Sequence, residues 1–345
     1  MAVGDFSPSR LSELQLKVDE VWDDLVKNRD YTPHYGSAEI IIAQQTANVT
    51  SIEAQGLDRT VAVKWIDFCS TTTVEEDDDD DCEFEGAEGE SKTQTYTLDT
   101  FISDSFSVVQ EDFRGNVFAM EDAIAMGLLK VERNLTNAFN AKVNAKLLTF
   151  GGINRYAGPG TIATNNAGYS EIDAENFTAE GMFPYLQQAR AMNLLTNLLV
   201  LDGGNLYQDN YRAQKYAENA DGKAARSMYG DISYRHDLFG FQANGATDVT
   251  IAIDPGSVAI GTHARFPTSP EYLGHKVGET RYSVAAKYIP GARFDVRYTM
   301  KCIDGKIHHI WKYKLRAGMW LNPIRCNADI TGVLLFKKTI ADDGE

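Results

Sequence analysis

VFAMEDAIAMGLLKVERNLTNAFNAKVNAKLL, residues 117–148, decides the architecture of this chain. Met120, Ile124, Leu128, Val131, Leu135, Phe139, Val143 and Leu147 recur at spacings of three and four. That period predicts a helix of roughly eight turns, a rod of ~45 Å with one wide face buried along its length. Gly151 and Gly152 mark its end. Gly127 lies inside it, at some cost in helix propensity.

Upstream, Ser7 followed by Pro8 reads as an N-cap and first helical position. Leu11, Leu14, Val18, Val21, Trp22 and Leu25 then line one helix face. The other face is acidic (Glu13, Asp19, Glu20, Asp23, Asp24), so the arm must lie on another surface, its own or a partner's. A turn-prone stretch, 28–37, follows. TVAVKWIDF (60–68) and TQTYTL (93–98) read as two strands of a long hairpin. Nine residues of strand reach ~30 Å, further than an ordinary hairpin in a compact domain requires.

Between those strands, residues 75–90 read EEDDDDDCEFEGAEGE, eleven carboxylates in sixteen residues with no base. The chain holds 49 acidic and 33 basic residues, a formal net of −16; without that run the balance is 38 against 33. The acidity is therefore local, at the tip of a hairpin. Asp77, Asp79 and Asp81 could offer oxygens to Ca²⁺ or Mg²⁺, but consecutive aspartates do not preorganise a cage, and solvated or partner-facing charge is the simpler reading.

Downstream of the long helix, a second helix is expected over 180–193, with Pro184 tolerable only near its start. A strand over 198–201 runs into Asp202-Gly203-Gly204 and a polar helix over 207–219, and strands 249–253 and 257–260 flank the turn Asp254-Pro255-Gly256. The clearest hairpin lies near the C-terminus. Phe294, Val296, Tyr298, Met300 and Cys302 alternate, Asp304-Gly305 supplies a type I′ turn, and Ile307, His309, Trp311, Tyr313 and Leu315 alternate again. A two-residue turn sets Cys302 against Ile307, Met300 against His309, Tyr298 against Trp311 and Val296 against Tyr313. The opposite face then collects Arg293, Arg297, Lys301, Lys306, His308, Lys312, Lys314 and Arg316, with Asp295 as its only acid. This is a basic ribbon, suited to phosphates or to an acidic protein surface. One such surface is the hairpin tip of a neighbouring copy.

Motifs for catalysis are missing: there is no phosphate loop, dinucleotide fingerprint, nucleophile elbow or H-E-x-x-H. LLVLDGG (198–204) is the nearest to a nucleotide loop and reads more simply as a strand-to-helix turn. His308 and His309 point to opposite strand faces and cannot ligate one metal together. Cys69, Cys82, Cys302 and Cys326 have no C-x-x-C spacing, and reduced thiols are expected. No signal peptide and no apolar run of membrane-spanning length appear, so a cytoplasmic setting without membrane contact is expected. No catalytic residue, metal ligand or cofactor is assigned.

In order and length, an N-terminal arm, a projecting hairpin, one very long helix, an α/β middle and a β-rich return resemble the tailed-bacteriophage major capsid protein of the Hong Kong 97 type. Residues 118–148 look most like that family. The resemblance implies an α+β fold with an N-terminal arm (1–59), an extended hairpin loop with an acidic tip (60–100), a peripheral domain holding the spine helix (101–178 and 280–345) and an axial domain (179–279). It implies a structural, non-enzymatic role: copies assembling as hexamers and pentamers of an icosahedral virion shell around double-stranded DNA, built in the host cytoplasm. Scaffolding, portal or decoration proteins would be further partners. Some members join a loop lysine to a neighbour's asparagine; Lys64 and Lys92 with Asn322 and Asn327 would be the residues here, though no local pattern marks that linkage. A nanocompartment shell of the same fold, a divalent-ion-binding surface module and, last, an α/β enzyme are the alternatives.

Overall fold

The computed structural model describes residues 7–28, 36–51, 60–66, 91–113, 117–152, 163–164, 169–192, 198–203, 206, 232–272, 279–324 and 331–339. The acidic run 75–90, the expected helix 207–219, Asn327, Cys69, Cys82 and Cys326 lie outside them.

The long helix, α3, spans Val117–Thr149, about 50 Å at 1.5 Å per residue. Every apolar residue of its expected stripe, from Met120 to Leu147, is buried. Gly127 has a packing reason, since a Cβ there would enter the Phe106 ring. The N-terminal helix α1 (Pro8–Asn28) lies along α3 with Leu11, Leu14 and Val18 buried. The arm therefore rests on its own chain. Arg10–Glu121 (3.3 Å) and Lys17–Asp122 (3.3 Å) line the seam, and Lys287–Asp19 (2.6 Å) with an edge-on Trp22–Tyr288 contact joins α1 to the segment 286–292.

A short helix α2 (Ser37–Gln44) and a strand β1 (Asn48–Ser51) follow, neither expected from the sequence. The projected hairpin is present as β2 (Thr60–Ile66) and β3 (Ser91–Thr97), antiparallel from Thr60 opposite Thr97 to Ile66 opposite Ser91, with β1 adding a third strand. β4 (Thr100–Val109) leaves that hairpin and enters a second sheet; Phe101 outward and Asp104 inward interrupt the alternation of Ile102, Phe106 and Val108 with outward serines.

The C-terminal hairpin, β13 (Arg293–Ile303) and β14 (Lys306–Leu321), has the expected register at all four pairs. Asp304 and Gly305 take φ of 51° and 75°, as a type I′ turn requires. β14 is long enough to pair β13 on one edge and, in succession, β4 and β10 (Val258–Thr262) on the other. β12 (Glu279–Ala285) and the short β11 (Glu271–Tyr272) continue the sheet beyond β13.

A third, mixed sheet takes β5 (Ala163–Thr164), β6 (Tyr169–Asp173), β7 (Leu198–Asp202), β8 (Ile232–His236), β9 (Val249–Ile253) and β15 (Val333–Thr339), in the order β5-β6-β15-β9-β7-β8. One face carries Leu199, Leu201, Ile251, Ile253, Val333 and Leu335 into the core around α3. The other packs Val200, Leu334 and Phe336 against Met182, Leu186 and Ala189 of α4 (Ala179–Met192). The turn Asp254-Pro255-Gly256 does not close a hairpin, for β9 belongs to this sheet and β10 to the ribbon sheet. It hands the chain from one sheet to the other. Sheet membership thus cuts across the expected segments: β10 and β11, from 179–279, join the ribbon sheet, and β5, β6 and β15 join the third.

Candidate assembly surfaces

Two surfaces stand out from the sequence: the projecting hairpin and the basic ribbon. The described strands of the hairpin are fixed to the body along their length. Val61, Val63 and Trp65 alternate inward and bury against Leu98 and Ala259. Trp65 Nε1 donates to Tyr96 Oη at 3.1 Å, and the Tyr96 ring stacks on Trp320 at 5.0 Å between centroids. Trp320 lies back over Gly318, where any Cβ would strike its ring, and Gly261 leaves room for it and for Val49. Asn322 closes the joint: its Nδ2 donates to the carbonyls of Ile66 (3.1 Å) and Gly256 (3.2 Å), and its Oδ1 accepts from Ile324 N–H (2.9 Å). Gln45 adds a two-way bond to the Ile260 backbone, at 3.2 and 2.8 Å.

That placement bears on the lysine–asparagine idea. Lys64 and Lys92 are exposed on the hairpin, but Asn322 is buried and holds its own backbone. Its amide is a structural clamp.

The basic ribbon has an inner and an outer face, as the alternation predicts. Inward, Val296, Tyr298, Trp311, Tyr313 and Leu315 are buried toward α3. His309 is also inside, opposite Met300, with Nδ1 2.8 Å from Tyr298 Oη and Nε2 3.2 Å from Gln110 Oε1. Outward, charge is graded along the strands. At the β10 end, Arg316 Nε meets the buried Asp295 carboxylate at 3.0 Å, which also accepts from the Arg265 and Phe266 amides. Arg297 and Arg281 converge on Glu279 from neighbouring strands. Partial burial raises the Glu279 pKa, but the two guanidiniums outweigh it and hold the carboxyl below its ordinary range. Lys301 and Lys306 at the turn end, and Lys312 on the same rung as Arg297, are exposed and have no carboxylate partner among the described residues. Phe101, Ser103, Ser105 and Ser107 of β4 extend this face without covering it.

The sequence reading missed a buried polar row on the spine. Glu132, Thr136, Asn140 and Asn144 recur every four residues, and all four are buried. Asn140 Oδ1 accepts from Ala38 N–H (2.8 Å), and its Nδ2 donates to Glu39 (3.3 Å). Asn144 Nδ2 donates to Asp237 Oδ2 (2.9 Å), which also accepts from Ser37 N–H (2.9 Å) and Oγ–H (2.8 Å). Asp237 Oδ1 caps the short helix α5 (Leu238–Ala243) through Gly240 N–H at 2.9 Å. Glu132 Oε2 accepts from Lys287 N–H at 3.0 Å. Burial pushes both Glu39 and Glu132 up to about 8. The repeat of polar residues at a spacing of four was the available signal.

The other candidates resolve simply. Asp202 is buried, and its carboxylate takes the Leu206 amide at 2.5 Å, so this strand end caps its own turn. Among the described residues no three His, Cys, Asp or Glu side chains converge as metal ligands, and no helix is long and apolar enough to cross a membrane.

No family model matches the chain, and no curated protein matches it. Among solved structures it is similar to the capsid of Ralstonia phage GP4, at 12% identity over 84% of this chain and 85% of that one, with a TM-score of 0.43. It is also similar to the capsid of cyanophage P-SCSP1u, at 10% identity over 90% of each chain and a TM-score of 0.41. A structure from Microbacterium phage Oxtober96 shares 12% identity over 90% of this chain and 94% of that one, with a TM-score of 0.42.

Proposed function

We propose that the chain is a structural shell subunit, a phage major capsid protein of the Hong Kong 97 type, acting by self-assembly and not by catalysis. The observation that supports this best is the way the molecule extends. A helix of 33 residues serves as a common spine, and a separate three-stranded sheet is seated on the body through the Tyr96–Trp320 stack and the Asn322 clamp, the chain leaving it at Ile66 and returning at Ser91. Strands held this way fix the point from which the 24-residue connection 67–90 starts, and a connection of that length suits an arm that reaches another copy. Two of the similar solved structures, those of Ralstonia phage GP4 and cyanophage P-SCSP1u, are phage capsids.

On this reading copies close as hexamers and pentamers of an icosahedral shell, in a virion assembled in the host cytoplasm around double-stranded DNA held without sequence-specific contact. Scaffolding, portal and decoration proteins are the partners such a shell would meet. Segments 1–59, 60–100, 101–178 with 280–345, and 179–279 serve as arm, extended loop, peripheral and axial parts, with β10 and β15 crossing between the last two.

Negative-stain microscopy with sedimentation velocity tests the reading. Rings or closed shells of uniform size are expected, and a monomer persisting across concentration and salt would overturn it. Nuclease-treated shells from phage-producing cells should retain DNA; protein cargo instead would favour the nanocompartment alternative.

A further inference from the structure

We propose that Asn244-Gly245 is a gated deamidation site: the pair stays intact while α5 is closed on the spine and reacts once that end of α5 opens, leaving a permanent mark on the joint. It is the one Asn-Gly pair in the sequence. Glycine has no side chain to obstruct attack by its own amide nitrogen, so in an open chain this pair is the most reactive of the asparagine sites.

The helix end is built on both residues. Asn244 is the C-cap of α5, and Gly245 follows it at φ 63°, a left-handed conformation that favours glycine. Ala246 N–H donates to the Phe241 carbonyl at 3.0 Å and Gly245 N–H to the Gln242 carbonyl at 3.1 Å, the bond pair of a Schellman end. Asn244 Nδ2 donates to the carbonyls of Gly240 (2.8 Å) and of Ala141 in α3 (2.9 Å), so this amide joins α5 to the spine.

In the reaction the Gly245 nitrogen, its proton passed to hydroxide, attacks Asn244 Cγ. The bond from Cγ to Nδ2 breaks, and ammonia leaves with a proton taken from water. Water then opens the cyclic imide at either carbonyl, giving aspartate or isoaspartate. The closed joint blocks the first step. At ψ 3° the Gly245 nitrogen eclipses the Asn244 backbone nitrogen, whereas ring closure needs it to eclipse Cβ. Its N–H is held by Gln242, and the leaving amide by two carbonyls. Solvent is not the obstacle: Gly245 is exposed, and apart from its chain neighbours nothing lies within 4 Å of where a Cβ would stand. Unwinding the last turn of α5 removes every one of these restraints together. The product cannot close as before, because a carboxylate at 244 offers the Gly240 and Ala141 carbonyls no donor and sets negative charge against them.

Peptide mass spectrometry of the full chain held in mildly alkaline buffer, folded and in denaturing urea, tests the site. Nothing in this chemistry requires assembly, so it is read on the unassembled chain. Asn244 should convert fastest of all the asparagines in urea, and at least about tenfold more slowly in the folded chain, as protection by a closed local structure requires. Asn144→Ala unties the start of α5 from the spine and should speed conversion in the folded chain severalfold. Where that variant does not fold, urea below the unfolding transition should do the same to the parent. Asn244→Asp, the product in place, should lower the folding equilibrium constant by about tenfold or more, read as a lower urea midpoint. Equal rates in the folded and unfolded chain, or another asparagine reacting faster in urea, would overturn the assignment. So would a folded-state rate that ignores both Asn144→Ala and urea below the transition, or an unchanged urea midpoint for Asn244→Asp.

Discussion

Asn144 donates from its side-chain amide to Asp237 Oδ2 at 2.9 Å, tying the C-terminal half of the spine to the start of α5. The same oxygen takes the Ser37 amide and hydroxyl, so α2 is held at the same point. Three elements distant in sequence share one buried carboxylate. Asp237→Asn replaces an acceptor with a donor facing donors, and a loss of about 3 kcal/mol is expected. Urea denaturation reads it directly. In a double-mutant cycle with Asn144→Ala the two losses should be clearly less than additive, and simple additivity would show that the bond is not a shared node.

Gly127 sets how closely β4 approaches the spine. In an open helix Gly→Ala gains about 1 kcal/mol, but here the methyl meets the Phe106 ring, and a net loss of about 1 to 3 kcal/mol is expected. Phe106→Leu in the Gly127→Ala background should recover much of it. A gain in melting temperature from Gly127→Ala alone would refute the packing account.

Trp320 anchors the hairpin and contributes less to the main core. Trp320→Ala should raise hydrogen exchange by tenfold or more in β2 and β3 while leaving the α3 amides protected, because the loss is local. Equal deprotection of the spine would mean that the hairpin and body unfold as one unit.

Stability should depend on pH through Glu132. Its carboxyl keeps a proton up to about 8 in the folded state, against an ordinary value of 4.5. Between those values the folded chain binds more protons than the unfolded one, so stability falls as pH rises. The slope is at most about 1.4 kcal/mol per pH unit for each such group, and it vanishes below and above the window. Glu39 adds a term of the same sign. Glu132→Gln keeps an acceptor for the Lys287 amide and removes the charge. Its urea midpoint should match the parent's near pH 4.5 and exceed it at pH 8; parallel curves across that range would count against a buried, protonated Glu132.

Elements with a strong local period were legible before the structure. The stripe from Met120 to Leu147 marked the spine, and alternation with an Asp-Gly turn set the register of β13 and β14. β4 was less legible, since Phe101 on its outer face and Asp104 on its inner one interrupt the alternation of apolar and polar residues. The buried row Glu132, Thr136, Asn140 and Asn144 was visible as spacing but not as burial. A polar residue in a helix is read as solvent-facing unless its partners are known.

By itself the sequence determined the spine, the hairpin register and the separation of acidic run from basic ribbon, because each depends on residues near one another in the chain. Tertiary structure alone decided that α1 lies on its own spine and that Asp254-Pro255-Gly256 passes between two sheets. It also decided that Asn322 clamps the hairpin and that Ser37, Asn144 and Asp237 meet. Those contacts join residues up to 256 positions apart. Their partners are chosen by packing, which no local pattern encodes.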